Sequence, residues 1–511
     1  MKYLHSFLLS ILFFSAVCAN AQTTLQKVKQ FCKANEHVMI REYIQFVSIP
    51  NVAADSANIP LNAAFIVQMM KQRGIEAGLL DGTTTGVNPA VFGEIKVPGA
   101  TKTIAYYAHY DGQPVNPKQW AAGLEPFKPV FITAPLEQGG SIVSYKDGDS
   151  INAGWRLSGR GSADDKAGVM VILNAYDALV KSNIKLTQNI KFFFEGEEEV
   201  GSLHLNEIFA QNKDKLAADL WVIADGPRHV SGKKLVVFGV RGDTHMDLTV
   251  YGPKRPLHSG NYGNWAPNPA MMLVQLLAGM KDEKGNVLIK GFYDDVVPLT
   301  AEEKQAIAKV PNIEETLKKE LGIAQPDGDG KPFLELLLQP TLNINGIQSA
   351  NTGKLAANII PVIATATLDL RLVPGNDAGR QAQKVKDYIT SKGYHIIDQE
   401  PTDAERAQFS KLIKITNGGD GYNAQRTPMN LPAAQGVIKA VQSTVDYPVI
   451  LLPSSGGSLP LYLFEKQLGA KVISIPVVNY DNNQHAENEN VKISFLYEGI
   501  ETLAAVMSMP F

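Results

Sequence analysis

Five acidic or histidine positions in this chain follow predicted strands. His109 stands in Ala108-His109-Tyr110-Asp111-Gly112, and Asp164 in Gly159-Arg160-Gly161-Ser162-Ala163-Asp164-Asp165-Lys166. A run of acids, Glu195-Gly196-Glu197-Glu198-Glu199, follows Phe194, and Asp225 follows Leu220 to Ala224. His485 sits in Asn483-Gln484-His485-Ala486-Glu487-Asn488. An imidazole two residues before a carboxylate suits a metal ligand whose free ring N–H is held by that carboxylate, here Asp111. Crowded acids repel one another. Bound cations would offset that repulsion, and one uncoordinated carboxylate could then serve as a general base. Taken singly, each motif also has an ordinary reading: a loop histidine, a Ser/Asp helix cap, a solvated acidic loop. Taken together, the two imidazoles and several carboxylates suit two metals sharing a bridging carboxylate, roughly 3.5–4 Å apart. The only cysteines are Cys18 and Cys32, which excludes a cysteine-type zinc site.

These residues need elements to hold them. Thr103–Ala108, Asn189–Phe194 and Leu220–Ala224 have the apolar character of strands, whereas Ala167–Val180 and Leu203–Gln211 have helical spacing. Such alternation predicts an α/β fold, a mostly parallel mixed sheet with helices on both faces. Functional residues then collect beyond the carboxyl ends of the strands. Leu25–Phe46 and Leu61–Gln72 read as helices that precede this sheet. From about residue 235 the texture changes to half-exposed strands, Met246–Tyr251, Thr341–Ile347 and Ala364–Leu372, with a helix over Pro269–Met280. An antiparallel α+β insert accounts for that pattern. After Pro374 the α/β rhythm returns, with a helix over Ala378–Ser391 and a final one over Ser494–Met507. The expected organisation is therefore a catalytic domain over 22–238 and 376–511, interrupted by a smaller domain over 239–375.

The 511 residues exceed an ordinary single core. A formal charge of -3 offers no electrostatic case for nucleic acid or an anionic membrane. At the start, Met1-Lys2, an apolar run from Phe7 to Val17 and Ala19-Asn20-Ala21 have the form of a secretory signal over residues 1–21. On that basis the protein is expected to be exported, to the periplasm or the medium, after cleavage near Ala21. Loss of Cys18 would then leave Cys32 without an internal disulfide partner.

These motifs, in the same order over nearly the whole chain, resemble the M20 family of metallopeptidases. That family includes carnosinase-like dipeptidases, glutamate carboxypeptidases, aminoacylases and succinyl-diaminopimelate desuccinylase, and the first branch is the most similar. The resemblance implies that Asp164 bridges two divalent ions. His109 and Asp225 would complete one site, Glu199 and His485 the other, and Glu198 would be the general base, with Asp111 orienting His109. Zinc is the expected metal, and manganese or cobalt would also suit the ligands. It further implies that the insert is a lid that mediates homodimerisation. His258 in Leu257-His258-Ser259-Gly260 would stabilise the oxyanion, often across the dimer. Arg371 in Asp369-Leu370-Arg371-Leu372 would bind a substrate carboxylate, and Gly457 and Ser458 would contact the substrate's C-terminal group. The expected reaction is hydrolysis of a dipeptide-like amide by metal-activated water. Deacylation of an N-acyl amino acid by the same site is the alternative. A non-catalytic binding module would be expected to lack a ligand or the base, and none is missing. Three departures from the family pattern stand out: Gly112 where an apolar residue is more usual, Ala167 where glycine is usual, and a long stretch from Val130 to Trp155.

Overall fold

The computed structural model describes residues 23–80, 88–419 and 421–511. Its first sheet is organised around the strand Thr103–His109, whose successive side chains point to opposite faces. Ile104, Tyr106 and Ala108 enter one core, and Ala105 and Tyr107 enter another. The neighbouring strands repeat the division. Ile190, Phe192 and Phe194 face the first core and Phe193 the second; Leu220 and Val222 oppose Trp221 and Ile223 in the same way. Strands apolar on both faces must be covered on both. Helices Lys166–Lys181 and Ile493–Met507 cover one side, and Leu205–Gln211 and Tyr462–Leu468 cover the other.

The strand order is Glu76–Leu80, Ala90–Ile95, Asn189–Glu195, Thr103–His109, Leu220–Ile223, Val472–Ser474, Leu235–Val237 and Ile450–Leu452. From Asn189–Glu195 through Val472–Ser474 the neighbours run parallel, so their carboxyl ends share one edge. The first two strands run antiparallel. This is the expected α/β class with a mixed sheet. At the N-terminal side, the single helix expected over Leu25–Phe46 is two, residues 23–34 and Glu36–Val47, separated at Asn35.

A second sheet is built on the long strand Gly239–Tyr251, which pairs antiparallel with Ile363–Leu372 and with Leu412–Thr416. Met246, Leu248 and Val250 point from it into a separate core with Leu273, Leu276, Val385 and Ile389. The expected boundary at 375 falls inside this unit. Helix Ala378–Ser391 buries Ala378, Ala382, Val385 and Ile389 in the second core, and the strand Leu412–Thr416 joins the second sheet. The helix is amphipathic, and its apolar stripe is equally suited to either core until packing decides. A third, small sheet aligns Val130–Ile132, Arg156–Ser158 and Asn490–Lys492 antiparallel. The long Val130–Trp155 stretch thus closes as a hairpin-like arm, with Phe131 packed against Tyr145 and Trp155.

One buried cation gives the fold a pH dependence. Lys234 is 3% exposed, and its Nζ donates to Thr444 Oγ1 at 2.9 Å and to the Glu498 carbonyl at 3.2 Å. Burial first, and then the nearby Arg228, lower its pKa to about 7, against about 10.4 for a free lysine. Between those values the unfolded chain holds a proton that the folded chain does not, so stability rises with pH over roughly pH 7–10. The thermal midpoint of the wild type should therefore climb over this range relative to Lys234→Met. Parallel midpoint curves for the two proteins would refute the assignment.

Candidate metal centre

The shared edge of the parallel strands carries the chemistry. His109 ends its strand at full burial, and its Nε2 lies 2.9 Å from Asp164 Oδ1. The second Asp164 oxygen, Oδ2, lies 3.0 Å from His485 Nε2, and that nitrogen is 3.2 Å from Glu199 Oε2. Asp225 Oδ2 is 4.0 Å from His109 Nε2. Two triads result: His109, Asp164 and Asp225, and Asp164, Glu199 and His485, each with ligand atoms within 4.8 Å of one another. Each triad offers one imidazole nitrogen and two carboxylate oxygens, and Asp164 is common to both. This donor set, free of thiols, fits two divalent cations.

The electrostatics have the same character. Burial raises the Asp225 carboxyl to about 7, with His109 opposing the shift and the neighbouring Asp164 and Glu199 adding to it. Glu198 is likewise pushed up, chiefly by burial and then by Asp225 and Glu199, against the opposing His109. Burial would raise Asp164 too, but hydrogen bonds from His109 and His485 outweigh it and hold that carboxyl below its usual range. Hydrogen bonds to Asp164 and Glu199 raise His485 to about 10. Buried acids thus share too little positive charge, which is the deficit that cations would relieve.

Asp111 does more than hold a ring. Its Oδ1 lies 3.3 Å from His109 Nδ1. It also accepts the backbone N–H groups of Glu198 (3.2 Å) and Glu199 (3.0 Å), so one carboxylate aligns His109, Glu198 and Glu199. Asp165 caps the helix Lys166–Lys181 through the Gly168 N–H at 3.1 Å and accepts the His109 N–H at 3.3 Å. Lys166 is fully buried, and its Nζ donates to the Phe46 and Ile49 carbonyls, each at 2.7 Å.

Residues 105–509 match the family model for peptidase family M20/M25/M40. The chain belongs to that family. It is 29% identical to the Cys-Gly metallodipeptidase DUG1 of Candida albicans, across 90% of this chain and 92% of the relative. It is 25% identical to the human Beta-Ala-His dipeptidase, across 94% of this chain and 92% of the relative. The structure of the M20 family metallo-carboxypeptidase Sso-CP2 from Sulfolobus solfataricus matches with a TM-score of 0.74 at 29% identity, covering 92% of this chain and 99% of that one. Relatives named as dipeptidases agree with the expected carnosinase-like branch of the M20 family.

The expected export is corrected by the same relatives. The yeast Cys-Gly metallodipeptidases of this M20 group are cytosolic enzymes, so export is not supported. The segment on which that expectation rested, residues 1–21, lies outside the described residues. Among the described residues, no helix is long and apolar enough to cross a membrane.

Two departures from the M20 pattern have local explanations. A Cβ at Gly112 would stand 2.8 Å from Asn51 Nδ2, a fully buried side chain that donates to the Tyr110 carbonyl at 3.0 Å. Close approach at the helix start falls on Gly168 rather than on position 167. A Cβ at 168 would lie 2.7 Å from the carbonyl of Ala224, whereas Ala167 is accommodated in the core.

The expected substrate residues have local contacts of their own. Arg371 Nε is 3.2 Å from Asp369 and 3.8 Å from Asp243 on the second sheet. Asp243, His245 and Asp369 form a further cluster of metal-ligand type, but Arg371 already offsets its acids. Gly457 is exposed, on the short strand Ser455–Ser458 that pairs with Val240 and Arg241; Ser458 lies opposite Arg241 in that register. His258 is exposed, and its Nδ1 accepts the Gly260 N–H at 3.1 Å. Motif reading missed Gln113, which donates to Glu199 Oε2 at 2.7 Å, and Gln484, which donates to Asp164 Oδ2 at 3.2 Å. Both flank motif residues, yet nothing in an isolated glutamine signals a ligand-orienting role.

Proposed function

We propose that this M20 metallopeptidase hydrolyses dipeptides with two divalent cations, zinc in the first instance, and with Glu198 as the general base. The observation that carries the reading is the shared Asp164, whose two oxygens face His109 and His485 at 2.9 and 3.0 Å. His109, Asp164 and Asp225 hold one ion, and Asp164, Glu199 and His485 the other. Bound ions supply Lewis acidity, polarising a carbonyl and making water acidic. Glu198 belongs to neither triad, and its Oε2 is 3.8 Å from His109 Nε2. It accepts the proton of the attacking water and returns it to the departing amine. Asp111 keeps the His109 ring and the Glu198 backbone in register. Arg371, Gly457 and Ser458 receive the substrate's carboxylate end.

The dipeptide substrate class draws support from the names of the relatives, Cys-Gly and Beta-Ala-His dipeptidases. Chelator-stripped and zinc-reloaded protein, offered matched panels of dipeptides and N-acyl amino acids, should release amine from the dipeptides only, and only when reloaded. Preferential release from the acylated set would replace this reading with that of a deacylase.

The second-sheet unit, read as a lid, joins two copies, and His258 serves the partner's site. Its exposure leaves the ring open to a second copy of the chain. Exposed Ile344 and Ile347 on the strand Thr341–Gln348 supply apolar surface for such a contact. Mixing inactive Glu198→Ala with inactive His258→Ala should then restore about a quarter of wild-type activity, because random pairing gives half heterodimers with one intact site each. A mixture as inactive as its components would exclude the exchange.

A further inference from the structure

Glu489 is fully buried and belongs to none of the motifs described above. Its Oε1 accepts the N–H groups of Ala163 (2.8 Å) and Asp164 (3.0 Å). Its Oε2 accepts the Gly161 N–H (3.0 Å) and Arg160 Nη1 (2.7 Å). The Glu489 carbonyl accepts the Gly159 N–H at 2.9 Å and Ser158 Oγ at 3.1 Å. One residue therefore satisfies a donor from every residue between Ser158 and Asp164 except Ser162. Successive backbone N–H groups of this kind form a concavity suited to an anion, and here the chain fills it with its own carboxylate.

The clamp also works in the other direction. Arg160 Nη2 donates to the Ala486 carbonyl at 3.0 Å, directly beside His485. Asn483, His485 and Asn488 all have left-handed backbones, with φ of 55°, 61° and 61°. Asparagine visits that conformation comparatively readily, so of the three the His485 backbone depends most on its surroundings. The antiparallel pairing of Asn490 with Ser158 begins next to Glu489 and ties the same two segments together.

We infer that Glu489 is a positioning residue for the second metal site: through Arg160 and the backbone of residues 161–164 it sets the approach of His485 to Asp164. This rests on the reading of Asp164, Glu199 and His485 as a cation site. Losing an outer hydrogen-bond partner of a ligand lowers metal affinity about 10–100-fold. Glu489→Gln keeps the shape but must turn its amide N–H toward one of the two pairs of donors, so a loss of that size is expected.

The test is zinc binding to chelator-stripped full-length protein by equilibrium dialysis, with the thermal midpoint of the metal-free form measured alongside. Wild type should bind two ions per chain, and His485→Ala identifies which of the two affinities belongs to the second site. Glu489→Gln should weaken that same ion about 10–100-fold and leave the other within a few-fold. Arg160→Lys, which keeps the charge but loses the forked contact to Ala486, should move the same ion in the same direction and serves if Glu489→Gln does not fold. Folded variants that bind both ions as wild type does, with only a lower midpoint, would make Glu489 merely structural and overturn the inference. Equal weakening of both ions would also overturn it. Wild type binding no zinc would instead defeat the metal reading itself.

Discussion

Replacing Glu198 with alanine is expected to lower kcat for dipeptide hydrolysis by about 10²–10⁴-fold, the range that a positioned general base contributes. Metal content should stay at the wild-type value. The split follows from placement. Glu198 stands beside the triads without belonging to either, while its neighbour Glu199 faces His485. Its backbone is anchored by Asp111, so truncating the side chain leaves the turn that presents Glu199 intact. Glu198→Gln should fall by a similar factor, since it keeps the volume but cannot take a proton. Turnover within a few-fold of wild type in either variant would remove Glu198 from the base role.

Asp164→Ala should lose both ions as well as activity. It is the only residue common to the two triads, and each of its oxygens faces a different imidazole. Its removal also leaves the two imidazoles without the carboxylate that they share. The loss of affinity should exceed the roughly 10–100-fold that removal of an outer partner produces, whereas His485→Ala should lose one ion and retain the other. Elemental analysis after dialysis measures both. An Asp164→Ala protein that still carries two ions would end the bridging assignment.

Much of this was legible in the chain because the relevant chemistry is local. Thr103–His109, Asn189–Glu195 and Leu220–Ile223 are strands because their apolar residues can serve two faces at once. In a parallel sheet their carboxyl ends must then meet at one edge. Sequence alone thus determined the α/β class, the candidate ligands His109, Asp164, Glu199, Asp225 and His485, and the family to which they point. Tertiary structure decided the matters that depend on contacts between distant segments. Helix Ala378–Ser391 could have packed on either core, and the second sheet captured it. His258 and Arg371 carry recognisable motifs, but only folding sets their contacts: Arg371 lies 3.2 Å from Asp369, and His258 Nδ1 accepts the Gly260 N–H. Glu487 and Glu489 look alike on paper, two acids in one polar stretch. Only Glu489 is buried, because only its carboxylate meets the inward-pointing donors of a segment more than 300 residues earlier.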